Sequence, residues 1–326
     1  MKNFLKIYSL TLLFFTMVFC GQKKENIVID GSSTVYPITQ AVAEEFMKIN
    51  KNYNVTVGIS GTGGGFKKFC AGETDISNAS REIKKTEMDK CKENNIEYIE
   101  LPVAYDALSV VVSYKNDFVD VFTVKELNLI FRQKDHAKKW KDVRPNWPDK
   151  TMKVFSPGQD SGTYDYFVEA ILGKDEKVRP DASFSEDDNV LVKGVSEDPI
   201  AIGFFGVAYY EENKSKLKAI PIINPKTNKP VEPTLENVRN QTYVPLSRPL
   251  FIYVKKASLE KPGVKEFVNF YLDKGEELSK AVGYIPFLKE DYKVLKDYFA
   301  KEKHGSPKNE KQAGEFFSIK DLYSVK

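Results

Sequence analysis

The sequence predicts an α/β fold with a largely parallel sheet, and three observations carry that expectation. Short β-forming runs alternate with helical runs along the chain. Four of the junctions between them are built from glycine and small hydroxyl residues. The chain of 326 residues is 41% hydrophobic, ample for a packed core and suited to roughly two domains at about 150 residues each.

The first 20 residues, MKNFLKIYSLTLLFFTMVFC, join a short basic region (Lys2, Lys6) to an apolar run from Leu10 to Phe19, the pattern of a signal peptide. Cys20-Gly21, followed by Gln22-Lys23-Lys24-Glu25, resembles a bacterial lipoprotein processing site, whose cysteine becomes the lipidated first residue. Phe19 departs from the small residue usual before that cysteine; read without the resemblance, Cys20 simply ends the apolar signal. No other stretch approaches the roughly 18 apolar residues of a membrane span, so the expected location is the periplasm or cell envelope. Two cysteines remain, Cys70 and Cys91, an even pair that in an exported chain predicts one disulfide.

Ile27-Val28-Ile29 reads as a strand, Gly31-Ser32-Ser33-Thr34 as a turn, and Ile38, Val42 and Phe46, at a spacing of four, as one helix face with Pro37 near its start. The unit recurs. Tyr53 to Val57 alternates as a strand, Gly61-Thr62-Gly63-Gly64-Gly65 forms the turn, and Phe66 to Cys70 opens a helix. Asp75 to Arg81 and a charged helix through Cys91 follow, then strand-like runs from Ile99 to Val103 and from Ala107 to Val112. Beyond residue 120 come a helix over Thr123 to Phe131, a polar connection bearing both tryptophans, and a strand over Met152 to Phe155. The turn Asp160-Ser161-Gly162-Thr163 then leads a helix over Tyr164 to Leu172. Another unit spans Val190 to Tyr210, Leu250 to Val254 is a strand, and Pro262 to Leu272 a helix. Residues 301–326 read as a polar, peripheral extension.

The turns at Ser33-Thr34, Thr62-Gly63, Ser80-Arg81 and Ser161-Gly162-Thr163 all fall where a strand passes into a helix. In a parallel sheet such turns gather at the carboxyl edge, where open α/β folds bind ligands. Helix starts present unpaired N–H donors and the positive end of the helix dipole, and small residues leave room for a tetrahedral oxyanion. Any one of these residues could be an ordinary N-cap; four turns together point to an anion site. The net charge is +3, from 49 basic and 46 acidic residues, so no broad positive field for nucleic acid is present. No Gly-Lys-Ser/Thr ending follows the glycines, which excludes a nucleotide P-loop. With only His136 and His304 as histidines, neither a metal cluster nor a base for Ser161 as a hydrolytic nucleophile is in view. No cofactor is expected.

DGSSTVYPITQAVAEEF, GISGTGGGFKKFCAGETDISNASREIK, DSGTYDYF, EDDNVLVKGV, GFFGVAYYEE and PLSRPLFIYV, in this order over about residues 27–290, resemble the phosphate-binding proteins of bacterial phosphate ABC transporters. That resemblance implies a type II, two-lobed periplasmic-binding-protein fold. Two doubly wound sheets, joined by two crossover strands near 103–112 and 246–254, would close like a hinge on one inorganic phosphate and deliver it to a membrane permease. The lobes would be 27–105 plus 250–300, and 110–245, in a monomeric, non-enzymatic receptor. It implies Ser33, Thr34, Thr62, Gly63, Ser80, Arg81, Ser161, Gly162 and Thr163 as phosphate contacts. Two positions depart from the family: Pro157 stands where many relatives have an arginine, and Arg81 where they have an aspartate, so the cationic contact is expected to have moved to Arg81. Selectivity against sulfate calls for a proton acceptor in the site, with Asp106 the first candidate and Asp160 the second. A receptor for another oxyanion, or a sensor or adhesin on the same fold, is the alternative reading.

Overall fold

Ile27 and Ile29 are buried in β1 (Glu25–Gly31), and Ile38, Val42 and Phe46 form the buried face of α1 (Tyr36–Ile49), so the first strand and helix pack through the residues whose spacing predicted them. The structure, a computed structural model, describes residues 24–159, 161–173, 176–185, 187–307 and 318–324; the leader, Cys20 and Asp160 lie outside them. β2 (Tyr53–Val57) and β3 (Ile76–Ala79) flank β1 in parallel. The helices α2 (Gly61–Cys70) and α3 (Lys85–Glu93) follow them.

Next comes β4 (Tyr98–Ser113), whose 16 residues are all buried. The two strand-like runs seen in the sequence are one strand. Beyond it lie α4 (Val124–Phe131), α5 (Trp140–Val143), β5 (Lys153–Pro157), α6 (Gly162–Phe167), β6 (Ser183–Ser185), α7 (Asp188–Glu197), β7 (Ala201–Gly206) and α8 (Val207–Glu212). Thr123 and Glu126 close a capping box at the start of α4, each side chain bonding the other's backbone N–H. The connection between α4 and β5 is less polar inside than its sequence suggests, because Trp140 and Trp147 bury against Phe118 and Phe122. β8 (Leu217–Ala219), the small pair β9 (Ile222–Ile223) and β10 (Pro230–Val231), and α9 (Leu235–Arg239) lead to β11 (Ser247–Lys255), α10 (Pro262–Ala281), α11 (Lys289–Ala300) and α12 (Ile319–Tyr323).

The strands run β2-β1-β3-β11-β4-β7-β5-β6, with β8 also on β4. β4 changes partner along its length: Tyr98 to Ala107 pair with β11, and Leu108 to Ser113 with β7 and β8, all antiparallel. The two sheets are therefore halves of one hydrogen-bonded path fused along β4, and β11 supplies the return.

Two elements differ from the expectation. The predicted helix over Tyr164 to Leu172 is α-helical only through Phe167 and continues as a π-helical turn, Val168–Leu172. The Asn128 amide donates to the carbonyl of Ile171 at 3.0 Å, taking up an acceptor that the widened turn leaves over. The C-terminal extension is not merely peripheral. Gly305 N–H donates to the Tyr98 carbonyl, Ser306 and Tyr323 donate to Glu100, and Ile319 and Tyr323 are buried. Glu100 lies within β4, and burial raises its carboxyl above the ordinary value even though three hydroxyls, those of Ser306, Tyr253 and Tyr323, donate to it.

Cys70, the last residue of α2, is bonded to Cys91 of α3 across a sequence separation of 21. Both sulfur-bearing residues sit in a cluster with Phe66, Phe69, Tyr98 and Tyr253. In the chain-entropy model a loop of this size contributes about 3 kcal/mol. Denaturant unfolding with and without reductant should differ by that order; coincident curves would mean that helix packing alone fixes α2 on α3.

Candidate functional site

Four strand ends meet at one cleft. The turns leaving β1, β2, β3 and β5 stand at carboxyl ends of strands, and Ser32, Ser33, Thr34, Thr62, Gly63, Ser80, Arg81 and Gln159 line a cleft of about 590 Å³ between them. Tyr164, Asp165, Val168, Glu169, Gly173, Glu176, Lys84, Lys177 and Arg248 complete its wall.

The glycines of the second turn have separate jobs. Gly61 holds φ +73°, a conformation that glycine adopts freely. Gly63 faces the cleft, 4.0 Å from the Arg81 guanidinium measured from where a Cβ would stand. Gly65 lets α2 press on β1, since a Cβ there would lie 2.5 Å from the Gly31 Cα. Behind the turn, Asp30 accepts from Ser60 and from Lys68 at 2.7 Å; burial works against its charge, but these bonds hold its carboxyl below the ordinary value. Thr62 and Ser80 hydroxyls lie 3.1 Å apart, and the Ser80 N–H donates to Thr62 at 3.2 Å. Thr34 is clamped from below by the Tyr284 hydroxyl, which donates to its carbonyl at 2.6 Å.

Ser161 caps α6 by accepting from the Thr163 N–H at 3.2 Å. Gly162 abuts the Thr34 turn, 3.1 Å from the Thr34 Cα to its would-be Cβ. The Ser161-Gly162-Thr163 turn thus stands at the margin of the cleft, between the lining residues Gln159 and Tyr164.

A family model described as a PBP superfamily domain matches residues 21–274. The chain belongs to that superfamily. It is 53% identical over 283 residues to Protein SphX of Synechococcus elongatus, covering 86% of this chain and 83% of the relative. It is 42% identical over 275 residues to Phosphate-binding protein PstS of Staphylococcus saprophyticus, covering 83% of each. Among solved structures, a possible phosphate binding protein from Planctomyces limnophilus superposes with a TM-score of 0.83 at 45% identity, over 86% of this chain and 99% of that one. The Staphylococcus relative is a phosphate-binding protein by name, and the chain is a member of its family.

The two arginines of this PBP-superfamily cleft are held differently. Arg81 is committed to Glu87 through two hydrogen bonds of 2.8 and 2.9 Å, donates to the Glu82 carbonyl, and lies over the Phe66 ring. Arg248, on β11, has its guanidinium 3.6 Å above the centroid of the Tyr166 ring and donates to Thr34 Oγ1 at 3.2 Å and to Glu169 at 3.2 Å. Its Nε faces Asp106 Oδ2 at 3.4 Å, and among the described residues neither of those two atoms has a hydrogen-bond partner. Asp106 is set against Arg248 rather than among the lining residues of the cleft. Burial pushes its carboxyl up to about 6, with the Arg248 charge opposing. Sequence reasoning passed over Arg248, although PLSRPLFIYV was a matched motif. The available signal was a cation between Ser247 and Pro249 at the head of a strongly apolar strand, where an unpaired charge is costly.

Among the described residues no group of His, Cys, Asp and Glu is fit to hold a metal ion, and no helix is long and apolar enough to cross a membrane.

Proposed function

We propose that the chain captures inorganic phosphate outside the cytoplasmic membrane and passes it to the permease of a phosphate ABC importer, acting as a non-enzymatic receptor. The observation that carries this reading is the convergence of hydroxyl and glycine turns from four strand ends on one cleft that also holds Arg248. Helix starts, hydroxyls and a planar guanidinium are the donors that a tetrahedral oxyanion recruits. We assign the contacts to Ser33, Thr34, Thr62, Gly63, Ser80, Arg81, Ser161, Gly162 and Thr163, and add Arg248.

The two lobes are 27–105 plus 250–300, and 110–245, and they close about the shared strand β4 and the return through β11. Asp106 acts on the anion through Arg248. Asp165, exposed at the cleft and 3.4 Å from the Ser33 hydroxyl, takes the acceptor role that distinguishes a protonated phosphate from sulfate. Burial raises the Asp165 carboxyl, while Ser33 and Arg248 pull it down. A monomer anchored through lipidated Cys20 completes the reading.

Calorimetric titration of the protein lacking residues 1–20, stripped of bound anion, tests it with phosphate and then sulfate at neutral pH. One-to-one phosphate binding with sulfate silent is the expected result. Sulfate binding as well would redirect the receptor to another oxyanion, as the departures at Pro157 and Arg81 allow. In the same assay Arg81→Ala should weaken phosphate binding by about tenfold; unchanged affinity would leave Arg81 as the partner of Glu87 alone.

A further inference from the structure

Two hydrogen bonds across the cleft join a carboxylate of one wall to an anion donor of the other. The Ser33 hydroxyl donates to Asp165 at 3.4 Å, and Arg248 Nη1 donates to Glu169 at 3.2 Å. Asp165 belongs to α6 and Glu169 to the π-helical turn that continues it, four residues on, so both look into the cleft from one helical face. A carboxylate offers a guanidinium the same planar pair of oxygens that a phosphate offers. Glu169 thereby occupies the Arg248 position that the proposed anion would take.

We infer that Glu169 is an internal competitor for the anion: its carboxylate holds Arg248, must give way when the ligand enters, and returns as the ligand leaves. This rests on the phosphate reading of the cleft. The contact is suited to exchange, because the Glu169 side chain is 63% exposed while that of Arg248 is 14% exposed. A pair with one exposed partner is weak and screened by salt, so it lowers affinity without blocking the site. A receptor that must surrender its cargo gains from a replacement acceptor at Nη1, since a charged donor of low exposure left without an acceptor is costly.

The test compares Glu169→Gln, Glu176→Gln and Arg248→Ala with the parent protein by calorimetric titration with inorganic phosphate. Glu176 is the third carboxylate lining the same cleft and takes no part in the two crossing hydrogen bonds. Glu169→Gln should bind phosphate roughly three- to tenfold more tightly, with Glu176→Gln close to the parent. Equal tightening in both variants would reduce Glu169 to one charge among several, and overturn the inference. Unchanged or weaker binding in Glu169→Gln would overturn it too, the weaker result making Glu169 a support for Arg248. Arg248→Ala separates the two levels: if it binds phosphate like the parent, the anion does not sit at Arg248 and the inference fails while the phosphate reading stands; if the parent itself does not bind phosphate, the reading beneath the inference fails.

Discussion

Replacing Arg248 by alanine should weaken phosphate binding by roughly a hundredfold or more, the scale of removing a charge-assisted, nearly buried donor. Three neighbours preset this guanidinium: the Tyr166 ring beneath it, Asp106 behind its Nε, and Thr34 at Nη2. Its loss also strands Asp106, which is 5% exposed. With Arg248 present, burial already lifts that carboxyl to about 6; without it the value must climb further. A carboxyl raised in the folded state favours folding while protonated, and that advantage is lost as pH rises through its folded value. The variant's stability deficit should therefore be larger at about pH 8 than at about pH 5, and thermal melts at the two values would show it. A deficit independent of pH would mean that Asp106 finds another partner, and phosphate binding within about threefold of the parent would place the anion elsewhere.

The second large effect is on folding. Gly31 holds φ +142° at the end of β1, and a Cβ there would collide with the Asn78 carbonyl oxygen and lie 2.9 Å from the Asn78 nitrogen. These are backbone atoms of the paired strand β3, so they can move only by breaking the β1–β3 register. Gly31→Ala combines an unfavourable φ with overpacking against main chain and should destabilise by about 3 kcal/mol or more. Gly61→Ala is the matched control: its φ is +73°, but nothing stands within 4 Å of the added methyl, so about 1 kcal/mol is expected. Unfolding midpoints of the two variants measure the difference, and similar losses would mean that backbone conformation, not packing, sets the requirement at Gly31.

What was legible in the sequence was local. Ile38, Val42 and Phe46 declare a helix face by spacing, and the small residues of the four turns declare their chemistry at the turns themselves. The missing parts depend on contacts distant in sequence. Arg248 matters because antiparallel register sets it beside Asp106 and because a helix from another segment puts Tyr166 under it. Glu100 interrupts the apolar run of β4, a sign that a buried carboxylate needs donors. Nothing local told that Ser306 and Tyr323, some 200 residues on, would supply them. The π-helical turn that aims Glu169 is likewise set by packing, since its residues favour an ordinary helix equally well.

The continuity of β4 bears on whether the molecule can be divided. A strand whose first part completes one sheet and whose second part completes the other is owned by neither half. Cutting the chain on either side of it leaves one fragment with a bare row of backbone donors and acceptors and an uncovered apolar face, the combination that invites pairing with foreign strands. The two halves cannot be expressed or engineered as separate modules, and split or permuted versions must keep Tyr98 to Ser113 whole.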